Sequence, residues 1–460
     1  MSERRALPVL PKSSLRTDGK REKIVPADVR GRFDTLRHIT FVVLMVLYLA
    51  LPWINVGGRP LVLFHVAQRQ AFLFGLVFNA QDMWMMVFVL TGAAFALVVV
   101  TAVLGRVWCG WGCPQTVWIE GLYRRLERWI EGPREKRMRR DAAGPSWAKT
   151  WRKVLLHTLW AVISLALAHA FLAYFMPVRD LIAYMQQSPA KNLGTFVFAV
   201  GLAGILYFDF AWFREQFCVV MCPYGRMQSA LLDDDSLVVG YDVARGEPRG
   251  KKGKEGAGDC VDCNRCVVVC PTGIDIRNGL QMDCIACTAC IDACDDIMDK
   301  LERPRGLIRY DSQAGLAGRP RQFWRSRLTL YAALGVVGLA ASTFAFTRQR
   351  TSFEANLMRA AGLPFQVEDG IVRNGLHVHL VNKYPEPITF TLTSTPAANV
   401  QFLIPLAEVK LAPLADANVP FFVSVPKTAF KPGEEVEVVV TAVERSETRA
   451  LKVKLLGPAR

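Results

Sequence analysis

Five runs of apolar residues, each about 20 residues long, constrain the fold of this chain more than any other feature. They lie at 36–56, 83–104, 153–175, 194–213 and 327–346. A run of this length crosses a bilayer as a helix, because every backbone polar group in lipid must be hydrogen-bonded within the segment. The chain is 52% hydrophobic and carries a formal net charge of +15, with its basic residues between the apolar runs. A membrane protein therefore explains the basic charge, and nucleic acid is not an expected partner.

The distribution of Lys and Arg predicts the orientation of the five spans. The segments 1–35, 105–152 and 214–326 are rich in basic residues, whereas 57–82 and 176–193 carry two each. Basic loops stay in the cytoplasm, so we expect a cytoplasmic N-terminus and an external C-terminus. The N-terminus is polar and basic, and no cleavable signal peptide is predicted.

Two Cys-x-x-x-Cys-Pro motifs follow the second and the fourth span. The first holds Cys109, Cys113 and Pro114, and the second holds Cys218, Cys222 and Pro223. If these segments are α-helical, each cysteine pair lies one turn apart on one face, which is wide for a disulfide but suits two thiolates on one soft ion such as Cu(I). A repeated hairpin would bring the two pairs face to face at the cytoplasmic surface. The alternatives are a further iron–sulfur cluster, a reversible disulfide, or cysteines that pack as small apolar residues.

Eight further cysteines form two runs, "CVDCNRCVVVC" at 260–270 and "CIACTACIDAC" at 284–294. Both have the C-x₂-C-x₂-C-x₃-C spacing of bacterial ferredoxins with two [4Fe–4S] clusters, in which the fourth cysteine of each run ligates the other cluster. We therefore expect one cluster on Cys260, Cys263, Cys266 and Cys294, and the other on Cys284, Cys287, Cys290 and Cys270. The preceding stretch "RGEPRGKKGKEGAG" is typical of a solvated linker.

Residues beyond about 352 have a different composition, with no cysteine and alternating runs such as "GLHVHLVN" and "EVEVVVTAV". Short strands separated by Pro and Gly turns predict a small β-sandwich of immunoglobulin type. His377 and His379 share one face of a strand there, more consistent with a solvated face than with a metal site. The segment "WIEGLYRRLERWI" at 118–130 predicts an amphipathic helix that lies in the membrane interface or packs on the protein.

Ionisable groups in or near the spans are weighed as functional residues by default. His38, His65, His157 and His169 are candidates for haem or copper ligation, although ordinary hydrogen-bonded histidines are the stronger expectation. Asp209 and Arg214 predict an ion pair at the membrane edge, with proton handling as the alternative.

The sequence resembles the CcoG/FixG/RdxA family, the accessory proteins of cbb3-type cytochrome c oxidase. The resemblance rests on "LPWINVGG", "WCGWGCPQTVW", "YFDFAWFREQFCVVMCPYGRMQS", "GYDVARGEPRG", "PTGIDIRNGLQ", "DACDDIMDK", "PRGLIRYD" and the two ferredoxin runs. It implies a polyferredoxin of the bacterial inner membrane that reduces Cu(II) to Cu(I) during oxidase assembly. Copper would bind at Cys109, Cys113, Cys218 and Cys222. A generic electron relay and an assembly scaffold are the alternatives.

The expected partners follow from the same resemblance. They are the lipid membrane, copper ions, the oxidase assembly machinery and an external electron donor, since no flavin or nicotinamide motif is present; a homodimer is compatible with the sequence. The expected fold is an α-helical transmembrane bundle of five spans with an inserted dicluster ferredoxin module and a C-terminal immunoglobulin-like β-sandwich. Its predicted segments are a basic cytoplasmic segment at 1–35, a four-span region at 36–230, a cytoplasmic ferredoxin module at 231–326, a fifth span at 327–348 and a periplasmic domain at 352–460.

Overall fold

A computed structural model describes residues 23–56, 59–78, 84–251, 255–348, 353–360, 362–384, 386–395, 399–413, 415–431 and 433–458. Of the predicted basic segment 1–35, residues 1–22 lie outside the described residues. The chain divides into two compact units, Met1–Thr343 and Phe344–Arg460.

The helices are short except where the sequence predicts spans. They are α1 Arg32–Ala50, α2 Met85–Leu104, α3 Pro114–Trp118, α4 Arg124–Glu131, α5 Arg134–Ala142, α6 Trp147–Leu172, α7 Val178–Met185, α8 Leu193–Phe208, α9 Pro223–Leu231, α10 Val243–Gly246, α11 Arg265–Val268, α12 Ala289–Lys300, α13 Gln313–Leu316 and α14 Ser326–Arg348.

The strands form antiparallel sheets in both units. They are β1 Asn55–Val56, β2 Arg59–Pro60, β3 Val62–His65, β4 Gln70–Leu73, β5 Leu76–Phe78, β6 Val238–Tyr241, β7 Ile308–Asp311, β8 Phe353–Arg359, β9 Gln366–Glu368, β10 Ile371–Asn382, β11 Ile388–Ser394, β12 Gln401–Leu403, β13 Glu408–Leu411, β14 Asp416–Pro426, β15 Glu435–Ala442 and β16 Glu447–Lys454.

Among the described residues, five helical segments are long and apolar enough to cross a membrane, in agreement with the predicted number of spans. They are Arg32–Trp53, Met85–Leu104, Trp147–Leu172, Pro189–Phe213 and Ser326–Phe344. The third begins earlier than the sequence predicts because Ser146 caps it: the Ser146 hydroxyl accepts a hydrogen bond from the Lys149 amide at 3.3 Å. A helix thus continues into polar residues that a hydropathy pattern leaves out. The predicted start of the second span, residue 83, lies outside the described residues.

The ferredoxin segment folds around β6 and β7, which pair antiparallel, and the two cysteine runs lie between them in the chain. The first span is anchored to this module through its N-terminus. The Asp292 carboxylate on α12 accepts hydrogen bonds from the amides of Phe33 and Asp34 at 3.2 and 2.7 Å. These are orphan donors of the first turn, so α12 caps α1.

The stretch before the first cysteine run is not a free linker in its described parts. Arg245 pairs with Asp259 at 2.5 Å, and the Gly250 amide donates to the Cys260 carbonyl at 3.1 Å. Residues 252–254 of the predicted linker lie outside the described residues. The glycines and basic residues of this stretch suggested a solvated chain. The contacts of Arg245 and Gly250 instead pack its described residues onto the ferredoxin module.

The segment after the first motif packs on the protein over most of its length, while Trp129 is exposed. Trp118 and Tyr123 are buried in a core with Trp160 and Phe210. The charged face is also buried: Glu127 is 2% exposed and pairs with Arg137 and Arg214 at 2.5 Å each. Arg124 is buried between Glu120 and Glu215. The prediction of an ion pair between Asp209 and Arg214 is therefore wrong, because the Arg214 guanidinium binds Glu127 instead.

The second unit consists of two sheets. One has the strand order β12-β14-β10-β8, with β9 also paired to β10, and the other has the order β13-β11-β15-β16. Apolar residues from both sheets, including Val378, Phe390, Phe421 and Val438, form one buried core. The alternation along β10 and β15 places every second side chain in this core.

Candidate iron–sulfur and thiol sites

The two ferredoxin runs wrap their cysteines in the same way. In the first run Asp262 and Asn264 have φ of 53° and 56°, and in the second Ala286 and Thr288 have φ of 52° and 65°. These residues precede and follow the second cysteine of each run. Left-handed backbone at both positions curls the loop so that its three cysteines face one volume.

Each cavity in this module is lined by three cysteines of one run and the fourth of the other. One cavity is lined by Cys260, Cys263, Cys266 and Cys294. The other is lined by Cys270, Cys284, Cys287 and Cys290, with Cys266 at its edge. This grouping is the crossed arrangement that the spacing predicts. The role of these residues as cluster ligands remains a prediction.

The donor set suits a cluster better than a single ion. Among the described residues, no three imidazole, thiol or carboxylate groups are close enough to hold one metal ion. The thiols instead line cavities with apolar walls, which matches a multi-atom cubane held by four thiolates. Burial raises the pKa of Cys266 and of Cys284 to about 11, so iron must displace their protons on binding.

Both Cys-x-x-x-Cys-Pro motifs follow the same backbone path, which is not the α-helix expected from their spacing. A residue with positive φ, Gly105 or Arg214, interrupts the chain four positions before the first cysteine. A π-helical turn then closes on the second cysteine: the Cys113 amide bonds to the Trp108 carbonyl and the Cys222 amide to the Phe217 carbonyl, both at 2.8 Å. The proline that follows begins a new helix, α3 or α9.

The structure brings the two motifs together, as the hairpin repeat predicts. Burial, followed by the neighbouring Cys113 and Cys109 thiols, raises the pKa of Cys218. Burial and then Cys113 raise the pKa of Cys109 to about 11, and its thiol donates to Gln228 Oε1 at 3.3 Å. The four thiols are therefore neighbours, and we call them the thiol site: Cys109, Cys113, Cys218 and Cys222. Among the described residues no three of them surround one point.

Backbone amides lie near one thiol of this group. Burial raises the pKa of Cys113, and the nearby amides of Gln115 and Thr116 only partly oppose the rise. These amides belong to the first turn of α3, where helix donors have no internal partner. These amides would help to stabilise the Cys113 thiolate once a cation displaces its proton.

The thiol site packs directly against one ferredoxin loop. A Cβ built on Gly110 would lie 2.5 Å from the Ile285 carbonyl oxygen, so only glycine allows this approach. Ile285 lies between Cys284 and Cys287. A further cavity is lined by Cys218 together with Pro271, Thr272 and Ile285. The cavity of Cys270, Cys284, Cys287 and Cys290 is therefore proximal to the thiol site, and the other cavity is distal.

Two buried arginines, which the sequence did not single out, hold this junction together. Arg106 is 7% exposed, and its guanidinium donates to the carbonyls of Met282, Cys284 and Gly225. Arg37 donates from Nε to the Gly110 carbonyl at 3.0 Å. A charged residue immediately after an apolar run was the available signal for Arg106.

The four histidines near the spans all have local polar contacts, as ordinary structural histidines do. His38 lies 3.4 Å from Asp34, and His157 Nδ1 lies 2.7 Å from the Tyr207 hydroxyl. His65 accepts from the Gln68 amide, and His169 contacts the Leu165 carbonyl. Asp209 accepts a hydrogen bond from Gln115 at 2.9 Å rather than pairing with an arginine side chain.

Comparison with known families agrees with these observations. A family model described as "4Fe-4S dicluster domain" matches residues 213–313, and one described as "4Fe-4S binding domain" matches 85–134 and 192–233. A third, described as "IG-like fold at C-terminal of FixG", matches 343–458. These matches confirm the predicted iron–sulfur and immunoglobulin-like domains.

Relatives extend over most of the chain. The nitrogen fixation protein FixG of Rhizobium meliloti is 35% identical over 90% of this chain and 89% of its own length. Protein RdxA of Cereibacter sphaeroides is 36% identical over 83% of this chain and 84% of its own. A crystal structure of a FixG-related protein from Vibrio parahaemolyticus matches 23% of this chain and 97% of its own, at 14% identity and a TM-score of 0.21.

Proposed function

Since the chain belongs to the FixG/RdxA family of membrane iron–sulfur proteins, we propose that it is an oxidoreductase that reduces Cu(II) to Cu(I) at the thiol site. When bound, the two [4Fe–4S] clusters would supply electrons one at a time. Each Cu(II) ion takes up one electron and leaves as Cu(I). An external reductant has to replace that electron, because the sequence contains no flavin or nicotinamide motif.

One observation supports this proposal above the others: the first motif lies against the loop that carries Cys284 and Cys287. Gly110 is in contact with the backbone of Ile285, so no other protein segment separates the thiol site from the proximal cavity. An electron acceptor held by Cys109 would be close to that cavity. A scaffold without redox activity would have no need for the thiol site to pack so closely against the ferredoxin loop.

The residues of the thiol site suit the product of the reaction. Thiolates are soft ligands that favour Cu(I), and two of them satisfy its preference for low coordination. The Cys109 thiol donates a hydrogen bond to the side-chain oxygen of Gln228, which is fully buried. Copper binding would displace the proton of this thiol, while the amides of Gln115 and Thr116 stabilise the Cys113 thiolate.

The proposal also covers the side of the membrane on which the thiol site lies and the use that is made of the Cu(I). We infer from the bias of Lys and Arg that the thiol site and the ferredoxin module lie on the cytoplasmic side of the inner membrane and that the second unit lies in the periplasm. The family resemblance adds that the Cu(I) serves assembly of a cbb3-type cytochrome c oxidase. A generic electron relay would share the clusters but would not need copper.

The experiment is to replace Cys109 and Cys113 with Ser in the full-length protein and to follow Cu(I) formation with a Cu(I)-specific chelator. We expect loss of Cu(II) reduction with unchanged iron–sulfur absorbance. Replacing Cys218 and Cys222 should give the same loss, and the two pairs together should be no worse, as for residues that act as a unit. Met227→Leu, an exposed thioether on α9, is the matched control. Full activity in the variant that lacks all four cysteines would rule the thiol site out.

A second candidate function for the thiol site is to hold a third iron–sulfur cluster. It is favoured by the "4Fe-4S binding domain" model, whose two matched segments contain the two motifs. Four thiols from two motifs would supply the usual ligand set for a cubane. The two candidates differ in the iron content of the protein.

A further inference from the structure

The outer face of the β8–β10–β14 sheet carries two imidazoles side by side. His377 and His379 alternate along β10 with Leu376 and Val378, which are 1% and 0% exposed in the core. Alternation places both histidines on the opposite, outer face. Their Cα atoms are two residues apart along the same strand, so both rings can reach one point above the sheet.

A thioether lies beside them on the neighbouring strand. Met358 of β8 is directly opposite His377 in the antiparallel register. Residues directly opposite share a face and have Cβ atoms about 4.5–5.5 Å apart. Met358 lies on the outer face with His377, and its side chain is 42% exposed. An exposed methionine directly opposite His377 sets this part of the face apart chemically.

A carboxylate orients one of the two imidazoles. His379 Nε2 lies 3.0 Å from Asp416 Oδ2, at the start of β14. When Nε2 donates to this carboxylate, Nδ1 is left as the acceptor nitrogen. A histidine that ligates a metal usually has this arrangement, with the second ring nitrogen held by a carboxylate. The hydrogen bond fixes the orientation of the His379 ring and leaves Nδ1 available to a metal ion.

We propose that His377, His379 and Met358 form a copper-binding site on the second unit. Imidazole suits several transition metals, but a thioether selects for copper, and for Cu(I) in particular. The Met358 thioether, opposite His377 in the register, would supply the third ligand. The site is separate from the thiol site and does not depend on copper reduction there.

The test uses the full-length protein in which Cys109, Cys113, Cys218 and Cys222 are all replaced by Ser. This background removes copper bound at the thiol site, so failure of the proposed reductase activity does not affect the result. Three variants are made in it: His377→Ala with His379→Ala, Met358→Leu, and Asp416→Asn. Arg373→Ala, exposed on the same face of β10, is the matched control. Copper per chain is counted after anaerobic loading, and Cu(II) coordination is followed by electron paramagnetic resonance.

We expect the double histidine variant to lose one copper ion per chain and the nitrogen hyperfine pattern of Cu(II), while the control keeps both. Met358→Leu should weaken Cu(I) binding more than Cu(II) binding. Asp416→Asn should weaken binding about tenfold or more, as for other outer-sphere partners. Because all four positions lie outside the core, thermal unfolding should be unchanged. Equal copper content in the parent and the double histidine variant would overturn the proposal.

Discussion

Arg106 joins three segments of the candidate site with a single side chain. Its guanidinium reaches the carbonyls of Met282 and Cys284 in the ferredoxin module and of Gly225 after the second motif. A planar fork with several donors can satisfy three carbonyls at once, which an ammonium group cannot do in the same geometry. Arg106 is therefore a positioning residue that also places a positive charge beside the proximal cavity.

Arg106→Met should lower the reduction potential of the proximal cluster and leave that of the distal cluster unchanged. The expected shift is on the order of tens of millivolts, because local charge and hydrogen bonds set cluster potentials. Cu(II) reduction should slow as well. Redox titration followed by electron paramagnetic resonance separates the two clusters, and Arg305→Met, an exposed arginine paired with Asp299, is the control. A shift common to both clusters would indicate general destabilisation instead.

At this scale the sequence predicted which cysteines group together, but not the backbone that groups them. The ferredoxin spacing is specific enough to predict the crossing of Cys270 and Cys294. The π-turns at Cys113 and Cys222 were missed because an i, i+4 spacing suggests an α-helix. Ala286 and Thr288 are not typical left-handed residues. Gln228 reaches Cys109 from a distant part of the chain, and no local pattern reveals such a contact.

At the scale of elements, a buried charge network holds α4 and α5 against the end of the fourth span. Burial alone would raise the pKa of Glu127, but Arg214 and Arg137 outweigh it and lower the pKa to about 2. Such a lowered pKa stabilises the folded state above the ordinary value of 4.5, and the contribution is lost as the pH falls toward 2. The network is therefore intact throughout the neutral range.

Glu127→Gln should lower the free energy of unfolding by about 3–5 kcal/mol, because it leaves the buried Arg214 without its counter-ion and Arg137 with Glu131 alone, at 3.5 Å. The loss should be present at neutral pH and shrink below about pH 4.5, where Glu127 takes up a proton in the unfolded state, and it should vanish near pH 2, where the folded protein is protonated as well. Unfolding in detergent measures it. Glu135→Gln, exposed on α5, is the control and should have little effect. Equal stability of the two variants would show that the network is not needed.

The amphipathic pattern at 118–130 was compatible with two locations, and periodicity alone could not choose between them. Arg124 and Glu127 form a polar face that suggests solvent or lipid headgroups. Their partners, Glu215 and Arg214, come from the end of the next hairpin. A polar face that binds a complementary polar face has the same sequence pattern as one exposed to water.

At the scale of the whole molecule, the spans, the ferredoxin module and the immunoglobulin-like unit could all be predicted from composition and spacing. What the sequence could not supply is the order of the redox sites. That order follows from Gly110 and Cys218, which place the thiol site beside the proximal cavity. Electrons from an external donor would therefore reach the thiol site through the cavity of Cys270, Cys284, Cys287 and Cys290.

The iron and sulfide content of the anaerobically reconstituted protein tests the central claim, that the four cysteines of the thiol site bind copper rather than a third cluster. The two ferredoxin cavities predict about eight iron atoms and eight sulfides per chain. The same content is expected when Cys109, Cys113, Cys218 and Cys222 are all replaced by Ser. About twelve iron atoms in the unmodified protein, falling to about eight in that variant, would contradict the account.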